Sequence, residues 1–172
     1  LVSQPWPVHR DFIEVLVTAP VALSWQYLPA MQQRGRGFII NIASLAGHMP
    51  GSAGHTLYAA SKAWLIKFSQ SLALENRARG IHVTAVCPGF TYSEFHDVNG
   101  ARGIVSKLPK WMWMQADEVV RQGVDAALRG DVVYVNGKVH RLIKFIGKHL
   151  PDGLALRLMA KRSKDYRVQD AD

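Results

Sequence analysis

The 172-residue sequence predicts an α/β fold, a three-layer arrangement around a small parallel sheet. Two observations carry that prediction. Three short apolar runs, at 38–43, 81–87 and 132–135, have the length and β-branched content of buried strands. Between them lie helical patterns of a dozen or more residues, at 57–79 and 117–129. Strands alternating with helices of that length call for right-handed crossovers and parallel pairing. A third observation qualifies the fold. Three strands make a small sheet for this architecture, and the first would be an open edge, so the sheet reads as truncated, with its N-terminal half missing.

The elements follow in order. Residues 10–31 repeat apolar side chains at helical spacing, Phe12, Val15, Leu16, Ala19, Leu23 and Tyr27 among them, and Pro29 with the run to Gly37 ends the pattern. Strand 38–43 follows, then a loop at 44–56 holding three glycines and a proline. The helix at 57–79 stops at Arg79-Gly80. Strand 81–87 closes on Pro88-Gly89. Residues 90–115 show no clean period. A helix at 117–129 has an N-cap around Gln115-Ala116-Asp117 and ends at Gly130. After strand 132–135 and the Asn136-Gly137 turn come two basic amphipathic helices, 138–150 and 154–164, split by Pro151-Asp152-Gly153. We divide the chain into residues 1–137, the α/β part, and a helical tail at 138–172.

Composition excludes several classes. Apolar residues make up 48%, which does not fit a disordered, collagen-like or coiled-coil chain. A single cysteine, Cys87, rules out an internal disulfide framework and reads as a small buried strand residue; it fits a reducing, cytoplasmic compartment. The seven histidines show no pair at metal-ligand spacing on one helix, so no metal is expected. Uncharged stretches at 15–33 and 37–61 are interrupted by proline, glutamine or glycine and do not read as membrane spans. Residues 1–137 hold 12 basic and 9 acidic residues, whereas 138–167 hold 9 basic and 2 acidic, so the basic character belongs to the tail.

Ligands of open α/β sheets bind outside the carboxyl ends of the strands. Ser44, the helix start Tyr58-Ala59-Ala60-Ser61-Lys62, and Pro88-Gly89 all fall there. Tyr58 and Lys62 are four apart and share a helix face. A nearby ammonium favours phenolate and lowers a tyrosine pKa toward the range useful for acid/base work. Ser44 could hold the oxygen that this tyrosine protonates. The spacing also arises by chance, and Tyr134 with Lys138 repeats it across a strand end and a turn, where the side chains need not converge.

The runs Ile39-Ile40-Asn41-Ile42-Ala43-Ser44-Leu45-Ala46-Gly47, Tyr58-Ala59-Ala60-Ser61-Lys62-Ala63 and Val86-Cys87-Pro88-Gly89, in this order, resemble the short-chain dehydrogenase/reductase family over roughly residues 5–135. The resemblance implies a Rossmann-type fold, NAD or NADP as cofactor, and interconversion of a carbonyl and an alcohol. By position Tyr58 resembles the acid/base. Lys62 resembles the residue that lowers its pKa and binds the nicotinamide ribose, and Ser44 the carbonyl-orienting serine. Pro88, Gly89, Thr91 and Ser93 match the segment lining the nicotinamide. The family's variable substrate lid corresponds to 94–115, where Phe95 and Trp111, with Phe90 just before it, would wall a pocket for a hydrophobic carbonyl compound.

Departures from the family pattern matter too. The glycine-rich Thr-Gly-x-x-x-Gly-x-Gly loop and the Asn-Asn-Ala-Gly motif are absent, so roughly ninety residues carrying the pyrophosphate cradle and the first half of the sheet would lie upstream, and the chain reads as a fragment inactive alone. The family's relay asparagine aligns with Leu16, and Ser44 to Tyr58 is 14 positions where 13 is usual. Helices 10–31 and 57–79 resemble those that pair family members as homodimers. No nucleic-acid partner is expected. In the tail, Val139, Leu142, Ile143, Ile146 and Leu150 form one stripe. Such a stripe either packs on the body, the arrangement expected, or lays residues 138–164 on an anionic membrane. The rival functions are a non-catalytic binding subunit of the same fold and a peripheral membrane protein acting through its tail.

Overall fold

A computed structural model describes residues 1–54, 56–93 and 109–162. The chain opens with a long helical segment made of α1 (Trp6–Ile13), a π-helical turn (Glu14–Thr18) and α2 (Ala19–Arg34). It starts earlier than the apolar period predicts because Pro5 stands at the N-cap and Pro7 in the first turn, where a missing N–H costs nothing. The Ala19 N–H reaches the Glu14 carbonyl, five residues back. Pro20 lacks the N–H that an α-helical turn would aim at the Leu16 carbonyl, and a π turn absorbs such a gap. Pro29 does not end the helix, which runs on to Arg34. Ser24 is the one buried residue of α2, so a carbonyl left without its donor by a proline has water within reach.

The strands β1 (Gly37–Ile42), β2 (Ile81–Cys87) and β5 (Val133–Val135) form a parallel sheet in the order β1-β2-β5. Helix α3 (Thr56–Asn76) connects β1 to β2, and α4 (Ala116–Arg129) precedes β5. Alternation along β2 decides the layers. Ile81, Val83, Ala85 and Cys87 point to α3 and pack with Leu65, Ile66, Leu72 and Ala73. Val86 points the other way, to Gly123 of α4, and the Thr84 hydroxyl donates to the Asp131 carbonyl over 2.7 Å. Helices therefore cover both faces of β2, as the sequence predicts. Within the stretch that shows no period, Thr91–Tyr92 (β3) and Met114–Gln115 (β4) form a separate parallel pair.

The other side of β1 is open. Phe38, Ile40 and Ile42 face away from α3 and are 47%, 38% and 57% exposed, although β2 beside them is almost wholly buried. A strand this apolar is built for cover on both faces.

The tail helices α5 (Lys138–His149) and α6 (Asp152–Arg162) differ in part from the expected packing. Ile143 packs on the main core and His140 is buried, while Leu142 and Ile146 of the same predicted stripe face outward. The reason is angular. At 100° per residue His140, Ile143 and Gly147 share the inward arc, and Leu142 and Ile146 lie off it. No described helix is long and apolar enough to cross a membrane.

Candidate active site

The site is assembled at the carboxyl ends of β1 and β2, where two backbone ties hold the loops. The Ala43 N–H donates to the Val86 carbonyl over 2.8 Å, and the Leu45 N–H to the Pro88 carbonyl over 2.8 Å. Between them Ser44 is extended and caps the short 3-10 helix Leu45–His48, its Oγ accepting from the Ala46 N–H at 3.1 Å. That leaves the hydroxyl hydrogen for another acceptor. The 3-10 helix lies directly on α3: a Cβ at Gly47 would sit 2.7 Å from the Ala63 nitrogen and 2.7 Å from the Lys62 carbonyl carbon.

Tyr58 stands in the first turn of α3 and Lys62 one turn on, with the Ser61 hydroxyl bonded back to the Tyr58 carbonyl at 2.9 Å. Ser44 and Tyr58 meet in a side-chain hydrogen bond. Lys62 is buried, and its ammonium donates to the Ile42 carbonyl at 2.8 Å while lying 5.7 Å from the centre of the Tyr58 ring. The structure thus brings Ser44, Tyr58 and Lys62 together. It corrects one expectation about their electrostatics. Burial raises the Tyr58 pKa above its ordinary value, and the bond to Ser44 only partly opposes this. The Lys62 ammonium is engaged with a backbone carbonyl and is itself pulled down by burial, with the Cys87 sulfur opposing. Cys87 is fully buried and its thiol is pushed up to about 12, chiefly by burial, as suits an inert strand residue.

A cleft of about 390 Å³ runs along the free edge of β1 between α2 and α3, with Lys62, Asn41 and Ile42 in its wall. Leu16, within the π turn, and Pro20 line it too, so the position that matches the family asparagine shares this wall with Lys62 and carries an apolar side chain there.

The remaining predicted residues divide. The Thr91 hydroxyl donates to the Gly89 carbonyl over 3.2 Å, and Ser93 closes the described part of that loop. Phe90 is packed rather than open: its ring lies 5.7 Å from Trp113 and 6.3 Å from His140. Trp111 is 67% exposed and does not join them, and Phe95 lies outside the described residues. Tyr134, the second tyrosine with a lysine four residues on, sits 5.7 Å from both the Arg129 and the Arg141 guanidinium and makes no part of this cluster.

His140 was not legible in the sequence. It lies fully buried under the Pro-Gly turn, its Nδ1 3.0 Å from the Asn136 carbonyl and its Nε2 without a partner among the described residues. A Cβ at Gly89 would come within 2.4 Å of the ring. Only a glycine at 89 leaves room for the histidine. We expect Gly89→Ala to cost about 1–3 kcal/mol by overpacking. In a His140→Ala background that cost should vanish, giving a coupling of about 1–3 kcal/mol in a double-mutant cycle followed by urea unfolding. Additive costs would show that the turn does not rest on the ring.

The donor set fits part of a dinucleotide. Two hydroxyls, a buried ammonium and the backbone of a Pro-Gly turn suit a nicotinamide and its ribose; among the described residues no glycine-rich loop at a helix N-terminus offers a pyrophosphate its usual cradle.

Comparison with known proteins agrees with the geometry. The family model for short chain dehydrogenase matches residues 7–102. An uncharacterized oxidoreductase of Myxococcus xanthus is 36% identical over 127 residues, 74% of this chain and 47% of its own length. The 3-oxoacyl-[acyl-carrier-protein] reductase of Escherichia coli is 34% identical over 140 residues, 76% of this chain and 57% of its own. Among solved structures, a short-chain dehydrogenase from Sphingobium yanoikuyae in complex with NADPH superposes on the whole chain with a TM-score of 0.72 and 30% identity, and 62% of that chain is covered. The chain thus spans about half the length of the curated relatives it matches. With the family model matching more than half of its residues, and with a parallel sheet that sets Ser44, Tyr58 and Lys62 at one end, the chain belongs to the short-chain dehydrogenase/reductase family.

Proposed function

We propose that this chain carries the catalytic part of an NAD(P)-dependent oxidoreductase that interconverts a carbonyl and an alcohol. The observation that carries the reading is the hydrogen-bonded pair of Ser44 and Tyr58 at the end of β1, with the buried Lys62 one helical turn away. A bound nicotinamide would supply or accept the hydride. This chain's residues do the rest. Ser44 orients the substrate oxygen and Tyr58 gives it a proton, or takes one in the reverse direction. Lys62 holds the nicotinamide ribose, with Pro88, Gly89, Thr91 and Ser93 along the nicotinamide. Relatives support both cofactors: a solved structure of one holds NADPH and one of another, a 3-oxoacyl-[acyl-carrier protein] reductase from Brucella melitensis, holds NAD.

The same reading places the described sheet in the C-terminal part of a larger domain. The apolar residues left open on β1 support it, as do the relatives' lengths. Alone, the chain then lacks the pyrophosphate cradle. Titration of NADPH and NADH by fluorescence should show only weak binding to these 172 residues, and tight binding once the upstream segment is restored. Submicromolar affinity of the present chain for either nucleotide would overturn the incomplete-site reading. We further propose a homodimer through the helical segment 6–34 and α3, whose outer faces expose Trp25, Leu23 and Leu74, to be checked by sedimentation equilibrium. A non-catalytic binding role is favoured by one observation, Leu16 in the cleft beside Lys62. Measurable carbonyl reduction by the restored chain would exclude it.

A further inference from the structure

Helix α5 is apolar on two sides. Its inward side, with His140 and Ile143, is used by the fold. Its outward side carries Leu142, Phe145 and Ile146, which are 58%, 60% and 49% exposed and fall within one arc of about 100° at helical spacing. Beyond Pro151, α6 leaves Leu154, Leu156 and Leu158 each about half exposed; Leu154 and Leu158, one turn apart, share a side of the helix, and Leu156 lies on another. A tail that served only to cover the body would present charge, not leucine, to water.

The charge around this face indicates what covers it. Residues 138–162 hold seven basic residues and one acidic residue, Asp152. Arg141 and Lys148 are exposed along one border of the apolar arc of α5, Lys138 is exposed at its N-terminal end, and Arg157 and Lys161 are exposed on α6. Arg141, Lys144 and Lys148 also line a recess of about 390 Å³ between α5 and the edge of β5, walled by Tyr134 and Phe145. Packing this face on a second copy of itself would set two clusters of cations against each other. Packing it on a neutral apolar surface would leave the cations unused. An anionic bilayer satisfies both components: the leucines and the phenylalanine enter the headgroup boundary, about 5–10 Å deep, and the flanking cations meet lipid phosphate and carboxylate. We propose that the outward face of α5, with the Leu154 and Leu158 side of α6, is a docking surface for an anionic lipid bilayer. The chain would lie on the membrane by this face, and no helix would cross it.

The single cysteine makes the test direct. Cys87 is fully buried, so in the full chain an Ile146→Cys variant has one accessible thiol for an environment-sensitive fluorophore. Vesicles of phosphatidylcholine alone and with about 30% phosphatidylserine are compared. The label should shift to the blue and the protein should pellet only with the phosphatidylserine vesicles. About 1 M salt, where the screening length falls to about 3 Å, should release it. Replacing Lys138, Arg141 and Lys148 together by glutamine should lower the partition coefficient on the order of a hundredfold, at about 1 kcal/mol for each cation near the surface. A Leu142→Gln, Phe145→Gln pair should weaken it as well, and because these side chains are exposed, circular dichroism should stay unchanged. A label at Phe38→Cys reports on the rival apolar face of β1 and should stay in water. The proposal fails if binding ignores phosphatidylserine or the charge variant, if the Phe38 label enters the bilayer and the Ile146 label does not, or if the Ile146 label shifts with protein concentration alone, the mark of a second copy on this face.

Discussion

Replacing Tyr58 by phenylalanine, in a chain with the upstream segment restored, should lower carbonyl reduction by about 10²–10⁴-fold and leave nucleotide affinity nearly unchanged. The substitution deletes a proton donor and keeps the ring that packs at the start of α3, so the loss belongs to proton transfer, for which factors of this size are usual. Tyr134→Phe should change little, since that ring lies between two guanidinium groups at the far edge of the sheet. If Tyr134 were the more damaging position the assignment would be wrong. The pH dependence has a definite sign. Burial raises the Tyr58 pKa, so the phenol stays protonated through neutral pH and the reductive direction keeps its donor; reduction should fail only as pH climbs through that raised value, while the oxidative direction gains there. Ser44 is the partner that lowers it. In Ser44→Ala the alkaline limb of the reductive profile should therefore move further up in pH, beside the loss of rate from an unoriented carbonyl. A limb that moved down would mean that Ser44 does not hold the phenolate form.

The strands and the helices between them were legible because each long element carries a distinct pattern: 81–87 is a mostly apolar, β-branched run with His82 and Thr84 within it, and β2 occupies those residues with all but His82 buried. The ends were less legible. Pro29 reads as a stop, yet α2 is so exposed that one lost backbone bond is satisfied by water, and the helix continues to Arg34. Local motifs told where Ser44, Tyr58 and Lys62 lie in the chain, but not which way the ammonium points. Its bond to Ile42 depends on how close α3 sits to the end of β1, a distance no spacing encodes. His140 was hidden for the same reason. Nothing in the tail's own pattern distinguishes it from His149, which is exposed; only the approach of the Pro-Gly turn to the start of α5 makes it a buried support. The tail's double apolar character was readable as composition, whereas the division into an inward and an outward face required the body against which α5 is set.

Gly47→Ala should be among the most destabilising single-methyl changes in the chain, by about 2–3 kcal/mol. A Cβ there would press on the backbone of α3 at Lys62 and Ala63, 2.7 Å from two main-chain atoms, and also on the Ile66 side chain at 2.8 Å. A side chain in the way can rotate; a helix backbone in the middle of a 21-residue element can only be pushed. Relief must come from the loop, and the loop is what places Ser44. The 3-10 helix would lift from α3, stretching the Ser44 contact with Tyr58 and the Leu45 tie to Pro88 together. Misplacement on the order of 1 Å at a reacting group can cost about a hundredfold in rate. In the restored chain we therefore expect activity to fall well below what the stability loss explains, measured at a temperature where the variant is still fully folded. Gly51→Ala is the control: it lies in the same loop, has no atom within 4 Å of the added methyl, and should be neutral in both stability and rate. Equal effects from the two substitutions would mean that the loop as a whole is intolerant, and that the close approach at Gly47 is not what sets Ser44 against Tyr58.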